Sequence, residues 1–224
     1  MKLFYHPAST TSRPIMLFAA ESGIALDMQV VDLFTGEHYQ APFVGLNPNR
    51  LVPLLEDGDF RLTESSAILK YLAEKANSPL YPNDAQHRAR VNERMDWVNT
   101  QLSRDLVYGV VYPQIFPAHK RRSSEAQDAT LQWGKERAQG WLTVLNDHYL
   151  GSSNGFVCGN AMTIADLLCA EYVFLGELIG SDFAAYPNVK QWLGRMKALK
   201  SWALAHQVIE GYAASLDKSG FVVV

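Results

Sequence analysis

Four consecutive hydroxyl side chains, Ser9 to Ser12, lie between an apolar segment and a helical pattern near the start of the chain. Lys2–Tyr5 predicts a strand, and the apolar spacing over 13–22, with Pro14 in the first turn, predicts a helix. Unpaired backbone N–H groups and the helix dipole favour a negative charge at such a place, so the cluster suits a thiolate or a phosphate. Helix capping is the more common use of these residue types, and on the residues alone we favour it, with Ser12 as the cap.

A second polar cluster, residues 63–66 (Thr-Glu-Ser-Ser), opens another predicted helix over 64–76. Its backbone N–H groups and the hydroxyls of Ser65 and Ser66 could bind a carboxylate, and Glu64 could pair with an amine. An acidic first helical turn explains the same residues equally well. The residues alone leave both interpretations open.

Pro53 stands inside an apolar segment, 51–56, that otherwise predicts a strand. Proline cannot donate to a strand ladder, so it is confined to edges, bulges or special turns. A cis peptide bond between Val52 and Pro53 is one arrangement that would account for it. The sequence does not decide this point.

The elements that must position these residues begin with a compact α/β pattern. The first 76 residues read strand, helix, strand (28–33), irregular segment, a hairpin of 51–56 and 60–62 turning at Asp57-Gly58, and a helix. This βαβ, ββα order predicts a small mixed sheet with helices packed on it.

Turn residues over 77–86 interrupt the periodicity, and only helical patterns follow them. We predict an α/β domain over 1–78, a linker over 79–86 and an all-helical domain over 87–224. The expected helices cover 87–116 with an interruption near Pro113 and Pro117, then 124–149, 163–178, 188–200 and 203–213. The third of these opens with a Ser/Thr-x-x-acid capping box, Thr163 to Asp166.

The composition narrows the classes of function. With 224 residues, 48% of them hydrophobic and 19% charged, the chain suits two globular domains. The net charge of −3 argues against a nucleic-acid partner, and we interpret the basic run 119–122 as a solvated surface. No apolar stretch approaches the roughly 20 residues of a membrane span, and the first residues lack a signal peptide's apolar core. We expect a cytoplasmic protein without membrane association.

Cysteine and histidine usage gives no sign of metal or redox chemistry. Cys158 and Cys169 lack a paired spacing, so we expect both to be reduced and to serve as small buried apolar side chains. The six histidines form no HxxxH pair or cluster with cysteine. We therefore predict no metal site.

Together these segments resemble the glutathione S-transferase family over nearly the whole chain. The similarity is most specific over 47–54 (Asn-Pro-Asn-Arg-Leu-Val-Pro-Leu), 57–60 and 62–68, and among the family's groups the serine-type theta and delta ones are the nearest. The opening residues 3–13 are also similar to those of bacterial dichloromethane dehalogenases. The resemblance implies a thioredoxin-like domain with cis Pro53, a helical second domain, glutathione as co-substrate and a homodimer.

The resemblance also implies roles for single residues. Ser9 matches the position whose hydroxyl donates to the glutathione sulfur, and Tyr5 matches the catalytic tyrosine of other classes and is its rival. Val52 would pair its backbone with the cysteinyl part, and Glu64 and Ser65 would hold the γ-glutamyl end. The other expected contacts with glutathione come from His38, Arg50, Leu51 and Pro53.

This sequence departs from the family pattern at two of those positions. The family often has Gly where Arg50 stands, and Lys or Gln where Leu51 stands. One polar contact to the tripeptide's carboxylate is therefore either missing or supplied by Arg50.

The implied reaction follows from thiol chemistry. A free thiol has a pKa of about 8.5, so only a few per cent is thiolate at neutral pH and the protein must stabilise the anion. Ser9 would donate a hydrogen bond, and the thiolate would displace a halide from carbon or add to an activated double bond. A glutathione-dependent disulfide reductase or peroxidase and a non-catalytic glutathione-binding protein are the alternatives. No cysteine stands at the strand-to-helix turn to favour the first.

The electrophile site is expected in the helical domain. Aromatic residues from Trp97 to Phe116 recur near helical spacing, for which core packing is the commoner explanation. The apolar tail 220–224 either folds back over a site or a partner subunit, or frays. Our candidates for the electrophile pocket are Tyr108, Tyr112, Phe116 and Phe221.

Overall fold

A mixed four-stranded sheet forms the N-terminal part of the computed structural model, which describes residues 1–151 and 153–224. The strand order is β2-β1-β3-β4, with β1 parallel to β2 and antiparallel to β3. The strands are β1 (Lys2–Tyr5), β2 (Asp27–Val30), β3 (Leu54–Asp57) and β4 (Phe60–Leu62), and the helices are α1 (Arg13–Glu21), the short α2 (Phe43–Leu46) and α3 (Ser65–Lys75). The predicted βαβ, ββα order is confirmed.

The strand boundaries differ from the predicted ones for local reasons. β3 begins at Leu54 because Pro53 has no N–H to donate and stays outside the ladder. The Val52–Pro53 bond is cis, as expected. β2 ends at Val30, three residues early, because its partner in the register is Tyr5, the last residue of β1. A second cis bond, Ala41–Pro42, was not predicted.

The remainder is helical, as predicted. α4 (Ala85–Trp97) continues through π-helical turns (Val98–Val111) into α5 (Tyr112–Ile115), and α6 (Ser124–Val144) continues through a second π-helical segment (Leu145–Leu150). The predicted break near Pro113 is wrong, because Pro113 lies in the first turn of α5 and the chain leaves the helix only at Phe116, before Pro117. The last three helices are α7 (Ile164–Leu178), α8 (Pro187–Lys197) and α9 (Trp202–Ala214).

α7 joins the two parts of the molecule. It is buried along nearly its whole length and packs on α1, α3 and α4. The predicted capping box at its start is confirmed, with Thr163 N donating to Asp166 Oδ2 at 2.8 Å. One hydrophobic core therefore runs from the sheet into the helices. Within residues 1–151 and 153–224, no helix has the length and apolar character needed to cross a membrane.

Asp105, in the first π-helical segment, makes the free energy of unfolding depend on pH in the acid range. Burial alone would raise the pKa of this carboxyl, but hydrogen bonds from Arg104, Trp141 and Arg137 outweigh it and hold the pKa below its usual value. A carboxyl whose pKa is lower in the folded than in the unfolded state stabilises the folded protein at pH values above the unfolded pKa of about 3.9. This stabilisation is lost as the pH falls through the folded-state pKa. We expect the gap in denaturant midpoint between wild type and Asp105→Asn to be constant from neutral pH to about pH 5 and to narrow below about pH 4. An unchanged gap at acid pH would contradict this.

Candidate functional site

A cleft of about 280 Å³ opens between the sheet domain and the helices. One wall is the loop before β3 with the start of α3, and the other is the first π-helical segment with α7. Of the predicted site residues it brings together Leu51, Val52, Pro53, Glu64, Ser65 and Tyr108. Thr11 belongs to the first predicted polar cluster and Thr63 to the second, and the remaining lining residues were not predicted to be functional: Asn47, Asn49, Asn99, Ser103 and Tyr172.

The first hydroxyl cluster forms a hydrogen-bonded turn at the cleft. Ser9 Oγ lies 3.0 Å from Thr11 Oγ1, and Thr11 Oγ1 donates to the carbonyl of Val52 at 3.0 Å. Ser12 N donates to Ser9 Oγ at 3.3 Å, so Ser9 closes the turn. The predicted capping by Ser12 is wrong, because the Ser12 side chain makes no capping bond to α1. The turn thus places two hydroxyls, of Ser9 and Thr11, beside the cis-proline loop.

The start of α3 supplies the cleft's charge. Glu64 is exposed, and its φ of 66° is rare for a non-glycine residue and concentrates at functional sites. Ser65 is buried as the first residue of α3, whose leading N–H groups have no partner within the helix. Among the lining residues of the described chain, Glu64 is the only charged one. The arrangement suits an amine beside a carboxylate on the ligand.

Asn47 shapes the loop that carries Val52 and Pro53. Its Nδ2 donates to the Leu51 carbonyl at 2.7 Å, and its Oδ1 accepts from Asn49 N at 3.1 Å. Asn47 is buried, so these bonds fix the loop at the floor of the cleft. The Asn-Pro-Asn sequence was the available signal, because Asn side chains commonly bond the backbone two residues on.

Seven residues with predicted roles lie outside the cleft lining: Ser9, Tyr112, Phe116 and Phe221, which are described with the hydroxyl turn, the aromatic series and the tail, and Tyr5, His38 and Arg50. Tyr5 is half-buried at the end of β1, opposite Val30. His38 is buried in a 3₁₀ turn (Glu37–Tyr39) with its ring 3.9 Å from that of Tyr39. Arg50 is exposed at a φ of 57°. The structure therefore brings none of these last three side chains to the cleft.

The predicted electrophile residues form an aromatic series beside the hydroxyl turn. The ring centroids of Tyr108 and Tyr112 are 5.1 Å apart, as are those of Tyr112 and Phe116, and Phe116 stacks on Tyr212 at 5.7 Å. Tyr112 OH donates to Thr10 Oγ1 at 2.9 Å. Burial, and then the negative charge of Glu64, raise the pKa of Tyr108, so its phenol stays protonated at neutral pH. The series offers an apolar surface with phenol donors.

The C-terminal tail folds back on α5. Val222 N donates to Gln114 Oε1 at 2.7 Å, and Gln114 Nε2 donates to the Val222 carbonyl at 3.0 Å. Phe221 is half-buried against the core. The fraying alternative is therefore wrong for this tail.

A buried ion pair supports the hydroxyl turn from behind. Arg13 follows the turn at the start of α1, and its Nη1 donates to the Ala8 carbonyl at 2.9 Å. Its Nε lies 2.6 Å from Glu171 Oε2 on α7, and both side chains are fully buried. His206 Nε2 of α9 lies 3.1 Å from the same carboxylate oxygen. Helices α7 and α9 thus hold Arg13 in place, and Arg13 in turn binds Ala8, the residue before Ser9.

The cysteines are not part of this arrangement. Cys158 is half-buried, and burial raises the pKa of its thiol to about 11, so it stays protonated at neutral pH. Cys169 is buried in α7, where burial also raises the pKa of its thiol. Within residues 1–151 and 153–224, no group of three or more potential metal ligands is found.

Comparisons with known proteins agree with this geometry. The family described as "Glutathione S-transferase, N-terminal domain" matches residues 1–74, and "Glutathione S-transferase, C-terminal domain" matches residues 111–200. Glutathione S-transferase theta-2 of Homo sapiens is 35% identical over 223 residues, covering 93% of this chain and 86% of that protein. Glutathione S-transferase theta-1 of Homo sapiens is 33% identical over 215 residues, covering 93% and 88%.

Solved structures show the same likeness. A human theta-class transferase in complex with the glutathione conjugate of 1-menaphthyl sulfate superposes with a TM-score of 0.85 at 32% identity, covering 98% of this chain and 91% of that one. A delta-class glutathione transferase of Nilaparvata lugens gives a TM-score of 0.81 at 29% identity, covering 95% and 96%. With its thioredoxin-like first part, its helical second part and relatives matched over most of their length, this chain belongs to the glutathione S-transferase family.

Proposed function

We propose that this protein binds glutathione in the cleft and stabilises it as the thiolate that attacks a small apolar carbon electrophile. The observation that carries the proposal is the meeting of three features in one cleft: the carboxylate of Glu64, the free N–H groups that open α3, and the hydroxyl turn beside Val52. The amine, the γ-glutamyl carboxylate and the thiol of the tripeptide each have a partner there. The named relatives are glutathione transferases, which supports the same assignment.

The γ-glutamyl end would lie at the start of α3. Glu64 would pair with its ammonium, and Ser65 and the first N–H groups of the helix would hold its carboxylate. The backbone of Val52, next to cis Pro53, would pair with the cysteinyl amide. This placement directs the thiol towards the hydroxyl turn. The contacts of His38 and Arg50 with the glycyl end remain predictions.

Ser9 would stabilise the thiolate as a hydrogen-bond donor. Lowering the thiol pKa by about 2 units requires about 2.7 kcal/mol of differential stabilisation. A hydrogen bond to a charged acceptor contributes about 1.5–3 kcal/mol, and a helix N-terminus adds about 0.3–1 kcal/mol. The thiol proton leaves to solvent. The sulfur then forms a bond to carbon while a halide leaves with its electron pair, or while an activated double bond accepts a proton from water at its other carbon.

The second part of the chain would hold the electrophile. We infer a glutathione domain over 1–78, a linker over 79–86 and an electrophile-binding domain over 87–224. Tyr108, Tyr112 and Phe116 would contact an apolar electrophile next to the sulfur, and Phe221 would bound the pocket from the folded-back tail. We further infer a homodimer and a cytoplasmic location, where the glutathione pool is kept reduced.

The ultraviolet absorbance of bound thiolate against pH tests the proposal. We expect wild type to lower the thiol pKa by about 2 units from its free value, and Ser9→Ala to return it by at least about 1 unit. Tyr5→Phe serves as the comparison and should leave the pKa unchanged. A shift produced by Tyr5→Phe instead would transfer the role to Tyr5. If wild type neither binds glutathione nor lowers its pKa, the proposed function is wrong.

The products formed from the two kinds of substrate separate the transferase from the alternative reaction. A glutathione-dependent disulfide reductase would release oxidised glutathione from a mixed disulfide, whereas a transferase consumes thiol together with the electrophile. The cleft lining in the described chain contains no cysteine, so such a reductase would use bound glutathione as its only thiol there. Measuring thiol consumption with an aryl or alkyl halide alongside a mixed disulfide compares the two activities directly.

A further inference from the structure

We infer that Thr11 is the hydroxyl that contacts the glutathione sulfur and that Ser9 acts on the thiolate through it, by donating to the Thr11 oxygen. This inference rests on the proposed function, because it concerns the thiolate bound in the same cleft. It assigns a catalytic contact to a residue other than the predicted donor. The directions of the hydroxyl protons and the hydroxyl that faces the cleft determine which residue meets the sulfur.

The hydrogen bonds of the turn show to which acceptor each hydroxyl proton is directed. A hydroxyl has one proton, and a carbonyl oxygen can only accept. Thr11 Oγ1 lies 3.0 Å from the Val52 carbonyl, so the proton of Thr11 is directed there. In the 3.0 Å contact between the two hydroxyls, Ser9 is therefore the donor and Thr11 the acceptor. Ser12 N–H in turn donates to Ser9 Oγ. The donors form a directed series from Ser12 N–H through Ser9 to Thr11.

Thr11 is the member of the series that faces the cleft. It lines the cleft together with Val52 and Pro53, the two residues that flank the cis bond. Ser9 is half-buried and reaches this wall through its contact with Thr11. A thiolate placed against Val52 and Pro53 therefore meets the Thr11 hydroxyl at the wall.

Ligand binding requires only rotation of the Thr11 hydroxyl. Its proton can turn from the Val52 carbonyl to the sulfur while Ser9 continues to donate to the Thr11 oxygen. A hydroxyl that accepts a hydrogen bond is a stronger donor, so Ser9 strengthens the bond from Thr11 to the anion. The Val52 carbonyl then becomes available to a donor on the ligand. No covalent bond changes in this step.

The decisive variants are Thr11→Val, which removes the hydroxyl and nearly keeps the shape, and Thr11→Ser, which keeps the hydroxyl. At saturating glutathione we expect Thr11→Val to raise the pKa of the bound thiol by about 1 unit, giving about tenfold less thiolate at neutral pH. Thr11→Ser should stay within about 0.3 units of wild type. A loss of turn structure in Thr11→Val would appear as weaker glutathione binding, whereas the loss of a donor to the sulfur appears as a raised thiol pKa even when glutathione is saturating.

The double variant Ser9→Ala/Thr11→Val tests the pairing. Because Ser9 acts partly through the Thr11 oxygen, we expect the double variant to raise the pKa by less than the sum of the single variants. Thr11→Ala, compared by circular dichroism and denaturant midpoint, replaces Thr11→Val if that variant does not fold.

The failure of this inference can be distinguished from the failure of the proposed function. If wild type lowers the thiol pKa and Thr11→Val leaves it unchanged while Ser9→Ala raises it, Ser9 contacts the sulfur alone and this inference is wrong. Fully additive single effects would likewise overturn the pairing. If wild type does not lower the thiol pKa at all, the proposed function fails instead.

Discussion

Replacing Glu171 by Gln is expected to lower the free energy of unfolding by about 3 kcal/mol. Glu171 Oε2 lies 2.6 Å from Arg13 Nε and 3.1 Å from His206 Nε2, and all three side chains are fully buried. A buried ion pair contributes little net stability when intact, but removing one partner leaves a buried charge without its counter-ion. The guanidinium of Arg13 would be that charge, because it has no route to solvent.

Glu177→Gln on the same helix is the matched control. Glu177 pairs with Lys197 at 2.6 Å, but both side chains are about a third exposed, so the expected loss is at most about 1 kcal/mol. Chemical denaturation at one fixed protein concentration compares the two variants, since self-association would otherwise shift the midpoints. Equal losses from the buried and the exposed pair would contradict the argument.

The Glu171→Gln variant also tests whether this ion pair supports the hydroxyl turn at the cleft. Arg13 donates to the Ala8 carbonyl, one residue before Ser9, so a displaced guanidinium would disturb the hydroxyl turn. We therefore expect the folded Glu171→Gln protein to lower the thiol pKa of bound glutathione by less than wild type does. This links the packing of α7 to the chemistry of the turn that precedes Arg13, which lies 158 positions before Glu171 in the chain.

The predictable parts of the fold and the site were those set by neighbours in the sequence. Apolar periodicity predicted the order of strands and helices along the chain, and the hydroxyl cluster before α1, whose residue types allowed either capping or an anion site, lies beside the cleft. The capping box at Thr163 followed from a spacing of three residues. Each of these sequence patterns lies within one element or one turn.

The unpredicted parts depend on contacts between distant segments. Thr11 gains its place in the cleft from Val52, 41 positions later, and Glu171 becomes a partner of Arg13 only when α7 packs on α1. Neither contact leaves a local pattern. Ser12 failed as a side-chain cap because its backbone is already helical, with φ −83° and ψ −37°, whereas a capping residue is typically extended.

The approach of α6 to the first π-helical segment depends on two glycines that face each other. A Cβ added to Gly134 would lie 2.7 Å from the carbonyl carbon and oxygen of Gly109 and 2.9 Å from its Cα. These are backbone atoms of a buried helix, so a methyl group cannot be accommodated by turning a side chain. The helices would have to move apart, and Asp105 of the same segment, which binds Arg137 and Trp141 of α6, would lose its geometry.

We therefore expect Gly134→Ala to destabilise the protein by about 3 kcal/mol, the upper part of the usual range for overpacking. For a chain of this size that corresponds to a fall in melting temperature of about 6–12 °C. Gly140→Ala on the same helix is the control, because nothing lies within 4 Å of its added Cβ and alanine favours the helix by about 0.8–1.0 kcal/mol. The two alanines should shift the melting temperature in opposite directions, since one meets backbone and the other meets open space. A Gly134→Ala protein as stable as wild type would show that α6 can move away from the π-helical segment at little cost.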